Sequence, residues 1–198
     1  MGGTIVKTTY IVSGHMRTGT SMMMDALSKG GLKPTYSNNR DKIRLERSDK
    51  HYDANKCGLY ELDNKEYQKY NFPKDYEGML IKCMWYHLPI LSAGKYKIVF
   101  MKRNPEEIRQ SFMAFFGGSQ RQLCDKYEER MQIAIDRLKM RGDVELTVFN
   151  YRDVVEDPEK HFNILKNSGW EIDVSKCASV VDKKLCRYKV EELEVGIV

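Results

Sequence analysis

A glycine-bounded stretch near the start of the sequence has the spacing of a phosphate-binding loop. Gly14 and Gly19 stand where the Walker pattern G-x-x-x-x-G-K-[ST] has its two glycines. Thr20 and Ser21 follow, where that pattern has a lysine and then Ser or Thr, and the positive charge lies inside the loop at Arg17. The backbone N–H groups of such a loop can cradle one phosphate at a helix N-terminus. Because the lysine that reaches the β- and γ-phosphates in kinases is missing, the loop suits a nucleotide whose 5′-phosphate is a leaving group.

The residues on both sides of the loop predict the strand and the helix that would position it. Thr8 to Ser13 are mainly β-branched and aromatic, which is typical of a strand. The sequence from Thr20 predicts a helix, and the Gly30-Gly31 pair would end it. A strand, a glycine loop and a helix in this order are the context that a phosphate-binding loop requires.

The later segments alternate between apolar strands and capped helices. Residues 78–86 and 96–103 are largely apolar, as buried strands of a parallel sheet are. Asn104-Pro105 predicts the start of a helix that runs to about Phe116, because Asn is a favoured cap and Pro is favoured at the first helical position. Three further elements are expected: an amphipathic helix over 119–141 with Leu123, Tyr127, Met131, Ala134 and Leu138 as its core stripe, a strand over 145–151, and a helix over 157–170.

This alternation predicts an α/β fold class, with a P-loop-type parallel sheet that is flanked by helices on both faces. We expect a single domain over residues 1–198, with an irregular or short-helical insertion at about 33–77. Ligands of open parallel sheets bind at the carboxyl ends of the strands. The glycine loop is expected at that edge of the sheet.

The composition favours a soluble, cytoplasmic protein. The 33 basic and 28 acidic residues are interleaved and give a net charge of +5, so we expect an anionic ligand but no nucleic-acid partner. No apolar run is long enough to span a membrane, and because the first residues contain no long apolar stretch we expect no secretory signal. The five cysteines and four histidines show no metal-ligand spacing, so we expect free thiols in a reducing compartment and no metal.

Two segments resemble the nucleotide-binding motifs of one enzyme family. MRTGTSM at 16–22 resembles the loop P-[KR]-[ST]-G-[TS]-[TS] with which sulfotransferases bind the 5′-phosphosulfate of 3′-phosphoadenosine-5′-phosphosulfate (PAPS). FMKRNPEEIRQSF at 100–112 resembles the family's 3′-phosphate site, in which an arginine at a strand end is followed by a serine on the next helix. Arg103 and Ser111 have that spacing, and both would clamp the extra ribose phosphate.

Two more segments resemble this family. NYRDVVEDPEKHFNIL resembles its Y-E-D-x-x-x-D-P segment, with Tyr151 in the position expected near the nucleotide. NKCGLYE at 55–61 resembles the N-P-x-G-[FY]-[FY]-E motif of small bacterial sulfotransferase-like proteins. The resemblance covers most of residues 9–165.

The resemblance implies that a sulfuryl group moves in line from PAPS to an acceptor hydroxyl, without a metal. A base removes the proton of the acceptor, the acceptor oxygen attacks sulfur, and 3′,5′-bisphosphoadenosine leaves. Arg17 would neutralise the charge that grows on the bridging oxygen, and Lys82 would contact the sulfate. The residues implied in nucleotide binding are Arg17, Thr18, Gly19, Thr20, Ser21, Arg103, Ser111 and Tyr151.

The resemblance leaves the general base open. Cytosolic members of the family have K-x-H at a strand end, and the histidine is their base. Lys82 matches the lysine here, but Met84 stands at the histidine position. The alternatives are Glu61, which the motif at its own position supports, His87, which lies just beyond the predicted strand, and His51.

Two other functions fit parts of the pattern, namely a P-loop kinase or other NTP phosphotransferase and a non-catalytic nucleotide-binding module. The basic residues Lys183, Lys184 and Arg187 either reach the 3′-phosphate or form a solvated tail. The acceptor is a small molecule, a glycan or lipid hydroxyl, or a peptide tyrosine, and the insertion and the aromatic residues around Trp85 and Phe115 would line its site. The sequence does not predict an oligomeric state.

Overall fold

The fold is built on one parallel β-sheet. The computed structural model describes residues 7–46, 58, 60–116 and 126–188. Four strands lie in the order β2-β1-β3-β4, and each neighbouring pair is parallel. The strands are β1 (Thr9–Gly14), β2 (Leu80–Lys82), β3 (Tyr96–Lys102) and β4 (Val144–Asn150).

Helices connect the strands and cover both faces of the sheet. Those in the first half are α1 (Thr20–Lys29), α2 (Asn38–Glu46) and α3 (Asn64–Tyr67), and those in the second half are α4 (Pro105–Phe116), α5 (Tyr127–Lys139), α6 (Tyr151–Glu156), α7 (Pro158–Asn167) and α8 (Val174–Ala178). Short 3₁₀-helices occupy Lys74–Tyr76, Trp85–Ile90 and Lys183–Leu185. The predicted α/β fold class, with helices on both faces of a parallel sheet, is confirmed.

Alternate residues of the strands supply two separate hydrophobic cores. Val12 and Met101 point to the face that is covered by α1, α6, α7 and α8. Ile11 and Phe100 point to the opposite face, where α4 and α5 pack. All four side chains have an exposed fraction of 0%. A central strand of this sheet is buried on both sides, which explains why its sequence is continuously apolar rather than alternating.

The strand register brings the carboxyl ends of the strands together. Val12 pairs with Lys82, and Gly14 pairs with Met101. Asn104 caps α4 as predicted, because its side-chain oxygen accepts from the backbone N–H groups of Glu106 at 2.8 Å and Glu107 at 3.4 Å. The loop before α1 and the start of α4 therefore lie along one edge of the sheet.

Three predicted elements differ from the structure. The strand predicted over 78–86 contains only Leu80–Lys82, because the chain turns into a 3₁₀-helix that begins at Trp85. The helix predicted over 119–141 covers Tyr127–Lys139, and residues 117–125 lie outside the described ranges. Tyr151 begins α6 rather than ending β4.

Two further predictions concern cysteines and membrane spans. Cys83 and Cys177 are buried free thiols, as predicted, and Cys186 is also buried, whereas Cys57 and Cys124 lie outside the described residues. Among the helices of the described ranges, none combines the length and the apolar character that crossing a membrane requires.

Candidate functional site

The loop between β1 and α1 needs glycine at both of its ends. Gly14 and Gly19 have φ angles of +142° and +89°, in the region that favours glycine. A Cβ atom on Gly14 would lie 2.5 Å from the carbonyl oxygen of Met101, and one on Gly19 would lie 2.3 Å from the Tyr151 ring. Between them, Arg17 also has a positive φ of 68°. The loop thus packs closely against β3 and α6.

Most of the residues that the sequence predicts for the site line one cavity. It opens above the carboxyl ends of the strands, next to the N-terminus of α1. The predicted residues that line it are Arg17, Gly19, Thr20, Ser21, Glu61, Lys82, Arg103, Ser111 and Tyr151. These residues come from the loop, the end of β2, the residue after β3, the segment before α3 and the three helices α1, α4 and α6, so the fold brings distant parts of the chain to one place.

Thr18 and His87 are predicted site residues that do not line this cavity. Thr18 is fully buried, and its hydroxyl donates to the carbonyl oxygen of His15 at 2.7 Å, so this side chain holds the loop together. His87 stacks on Tyr67 with ring centroids 4.0 Å apart. Burial and, to a lesser extent, the charge of Arg40 lower the pKa of His87. His51 lies outside the described residues.

Lys82 supplies a cation to the start of α1. It ends β2, has an exposed fraction of 4%, and its ammonium donates to the hydroxyl of Ser21 at 3.1 Å. Its carbonyl oxygen accepts a hydrogen bond from the Tyr67 hydroxyl at 2.8 Å. The positive charge that a Walker lysine would provide therefore comes from the neighbouring strand.

Arg103 joins three parts of the site. Its Nη1 donates to the carbonyl oxygen of Arg17 at 3.1 Å, and its Nη2 donates to that of Tyr188 at 3.3 Å. Its Nε donates to the carboxylate of Glu107 at 2.9 Å. The guanidinium also lies over the ring of Tyr151, 4.5 Å from the centroid, an arrangement in which cation–π attraction adds to the hydrogen bonds.

Ser111 pairs with Arg17 rather than with Arg103. The Nε of Arg17 donates to the Ser111 hydroxyl at 2.9 Å, and its guanidinium lies 4.4 Å from the ring centroid of Phe115. The two residues predicted for the 3′-phosphate therefore have different hydrogen-bond partners, because Ser111 accepts from Arg17 and Arg103 donates to Glu107.

Glu61 lies on a strained segment that α2 holds in place. Tyr60 has a φ of 59°, and the carboxylate of Asp41 accepts from the backbone N–H groups of Tyr60 at 2.7 Å and Glu61 at 3.0 Å. The guanidinium of Arg40 forms an ion pair with the Glu61 carboxylate at 3.2 Å. Strained backbone that is held by buried hydrogen bonds is characteristic of functional sites.

A second carboxylate, that of Asp25, lies with Glu61 in the cavity lining and accepts a hydrogen bond from the Tyr60 hydroxyl at 3.0 Å. Sequence reasoning missed Asp25, although it stands one turn after Ser21 on α1, and helical spacing alone places the two on one face. Both side chains line the cavity.

Residues near the end of the described chain form another wall that the sequence did not predict. Of the three basic residues considered there, only Arg187 lines the cavity, whereas Lys183 donates to the carbonyl oxygen of Glu156 at 3.0 Å. Apolar side chains from the loop, α1 and α4 complete the lining. The residues not predicted for nucleotide binding or catalysis are Met16, Met22, Asp25, Phe115, Phe116, Val180, Asp182, Leu185, Arg187 and Tyr188.

Comparisons with known proteins give weak likenesses. No protein-family model and no curated protein matches the chain. A sugar kinase from Janibacter sp. HTCC2649 is 13% identical, with 89% of this chain and 99% of that chain covered and a TM-score of 0.41. Sulfotransferase STF1 from Mycobacterium tuberculosis H37Rv is 11% identical, with 88% of this chain and 71% of that chain covered and a TM-score of 0.48.

Proposed function

We propose that the protein is a sulfotransferase that moves a sulfuryl group from PAPS to an acceptor hydroxyl. The observation that carries this proposal is the contact between the Lys82 ammonium and the Ser21 hydroxyl. Ser21 occupies the position at which the Ser or Thr of a Walker loop binds Mg²⁺. A fixed ammonium at that hydroxyl supports a reaction in which a protein cation, rather than a metal, faces the transferred group.

The residues of the loop fit a nucleotide 5′-phosphate. The first N–H groups of α1 have no acceptor within the helix, and their dipoles favour an anion. Gly19 allows a phosphate to approach these groups closely, because its position has no side chain. The side chains of Thr20 and Ser21 line the same cavity. In the proposal these residues hold the 5′-phosphate, and Arg17 neutralises the charge on its bridging oxygen.

The second phosphate of the nucleotide is assigned to Arg103. A guanidinium has five N–H groups, and the three hydrogen bonds of Arg103 within the described residues use one on each nitrogen. Each Nη therefore has a further N–H to offer a ligand. Tyr151, under this guanidinium, and Ser111, beside Arg17, complete the proposed 3′-phosphate site.

Glu61 is the predicted base that lines the cavity. In the proposal its carboxylate takes the proton of the acceptor, while Lys82 stabilises the charge that develops on the sulfuryl oxygens. The apolar lining from Met16, Phe115 and Phe116 supports an acceptor with an apolar or aromatic body. The proposed acceptors are hydroxyls of small molecules, glycans or lipids.

Calorimetric titration tests the nucleotide first. We expect 3′,5′-bisphosphoadenosine to bind without a metal and Arg103→Ala to lose this binding. Arg109→Ala is the matched control, because Arg109 lies on α4 and its ion pair is with Glu106, outside the cavity. Release of 3′,5′-bisphosphoadenosine from PAPS is then measured with a panel of phenols, sugars and lipid headgroups. A preference for Mg-ATP would contradict the proposal and favour a phosphotransferase, whereas binding without turnover would favour a non-catalytic module.

A further inference from the structure

A buried carboxylate lies directly behind the proposed nucleotide site. Glu107 on α4 has an exposed fraction of 1%, and two arginines contact it from different elements. Its Oε2 accepts from the Nε of Arg103 at 2.9 Å, and its Oε1 accepts from an Nη of Arg152 at 2.5 Å. Glu107 is absent from the cavity lining, so its contacts act on a ligand only through other residues.

We propose that Glu107 is a positioning residue that aims Arg103 at the 3′-phosphate of the nucleotide. This inference rests on the proposed function. In this inference, the carboxylate of Glu107 makes the site prefer nucleotides that carry a phosphate on the ribose 3′-oxygen.

The geometry of the Arg103 guanidinium supports this role. A guanidinium is planar, so fixing its Nε edge and one face leaves little rotational freedom. Glu107 binds the Nε edge, and the ring of Tyr151 covers one face. The remaining Nη edge is directed towards the carbonyl oxygens of Arg17 and Tyr188, at the cavity. Without the carboxylate, nothing on the Nε edge would hold this orientation among the described residues.

Arg152 holds the carboxylate from the other side. It lies in the first turn of α6, and its hydrogen bond to Glu107 is the main cause of the raised pKa of Arg152. Because both carboxylate oxygens are engaged, the Glu107 side chain cannot rotate without breaking a charge-assisted bond. Arg152 is itself partly exposed, with a side-chain exposed fraction of 26%, so it can be changed without burying an unpaired charge.

The sign of the effect separates positioning from simple electrostatics. A carboxylate this close to a phosphate repels it, so neutralising a bystander carboxylate would tighten the binding of the nucleotide. Neutralising a positioning carboxylate weakens binding, because Arg103 loses its orientation. The loss concerns the 3′-phosphate alone and leaves the contacts of the 5′-phosphate in place.

The experiment compares two nucleotides on four proteins. Wild type, Glu107→Gln, Arg152→Gln and the control Glu106→Gln are titrated with 3′,5′-bisphosphoadenosine and with adenosine 5′-phosphate, and their unfolding temperatures are recorded. Glu106 is the neighbouring carboxylate on α4 and binds the exposed Arg109. We expect Glu107→Gln to weaken bisphosphate binding about tenfold and Arg152→Gln about threefold, with adenosine 5′-phosphate changed less than about twofold in each.

The inference is overturned if Glu107→Gln binds the bisphosphate as tightly as wild type or more tightly, or if both nucleotides lose affinity equally. If Glu107→Gln does not fold, Arg152→Gln decides by the same comparison, and an unselective or absent effect there also overturns the inference. If the wild-type protein does not bind the bisphosphate more tightly than adenosine 5′-phosphate, the proposed function itself is contradicted, whatever the variants show.

Discussion

The ammonium of Lys82 and the hydroxyl of Ser21 lie 3.1 Å apart, joining the end of β2 to the first turn of α1. The register of the sheet makes this contact possible, because Lys82 pairs with Val12, two residues before the loop begins at Gly14. An ammonium that the loop lacks at its Walker lysine position thus reaches the start of α1 through strand pairing. The contact has consequences that can be measured on the protein.

Replacing Lys82 with Met should separate turnover from nucleotide binding. We expect release of 3′,5′-bisphosphoadenosine from PAPS to fall at least about a hundredfold, because in the proposed function this buried, preorganised cation stabilises the developing charge. Binding of the product nucleotide should fall far less. Lys102→Met is the control, since Lys102 also ends a strand but does not line the cavity. Equal losses in the two variants would refute a specific role for Lys82.

Replacing Gly19 with Ala should destabilise the protein by more than its backbone conformation alone explains. The added Cβ would lie 2.3 Å from the Tyr151 ring, and the residue has a φ of 89°. Gly31→Ala is a matched control, because Gly31 has a φ of 118° but nothing within 4 Å of such a Cβ. We expect a loss of about 1 kcal/mol for the control and about 2–4 kcal/mol for Gly19→Ala, measured by urea unfolding.

A double substitution identifies the source of that difference. In a Tyr151→Ala background the clash disappears, so adding Gly19→Ala should cost no more than Gly31→Ala does. If the cost of Gly19→Ala is the same in both backgrounds, the Tyr151 ring is not its cause.

His15 should make the stability of the protein fall in mild acid. It is buried against Phe112 and Tyr127, and burial lowers its pKa below the usual value. The unfolded chain therefore binds more protons than the folded protein as the pH drops below about 6.5, so the free energy of unfolding decreases there and is fully retained above that pH.

The His15→Phe variant isolates this effect. Phenylalanine keeps the edge contacts with the two rings and removes the titrating group, so the unfolding free energy of the variant should depend less on pH between about 7 and 5 than that of wild type. The measurement is urea unfolding at several pH values. Parallel pH profiles for the two proteins would rule out His15 as the source.

Replacing Asp41 with Asn should loosen the Tyr60–Glu61 segment and spare the nucleotide site. The Asp41 carboxylate accepts two backbone N–H groups, and an amide would direct its own N–H₂ at one of them. We expect a loss of about 1–3 kcal/mol in unfolding free energy and a fall of about tenfold in PAPS turnover. The affinity for 3′,5′-bisphosphoadenosine should stay within about twofold, as in a control Asp63→Asn, whose side chain makes no capping bond. A comparable loss of nucleotide affinity in Asp41→Asn would contradict this division.

Local features of this molecule are predictable from its sequence, and long-range pairings are less so. The strand, glycine loop and helix around Gly14 to Thr20 follow from β-branched residues, glycine spacing and helix-ending signals, all within a short stretch. The start of α4 at Pro105 follows from its cap in the same way. These features depend on neighbours in sequence, so composition and spacing determine them.

The pairings inside the site depend on how separate elements dock. Arg103 and Ser111 have the predicted spacing, but the spacing does not reveal that Arg103 binds Glu107 and that Ser111 binds Arg17 of the loop. The wall containing Arg187 was indistinguishable from a solvated basic segment, because its contacts are with residues far away along the chain. His87 is a candidate base because of its proximity in sequence to Lys82, whereas in the structure it stacks on Tyr67 and does not line the cavity.

The hydrogen bond from Arg103 to the carbonyl oxygen of Tyr188 also has a consequence for the order in which the site is assembled. The loop, α1 and all four strands are complete well before residues 180–188 emerge during synthesis, yet several of these late residues form a wall of the cavity. A nascent chain would therefore hold its sheet and its glycine loop before it could complete this cavity. Limited proteolysis between α8 and Arg187 should reproduce that earlier stage, leaving a folded sheet without this wall of the cavity.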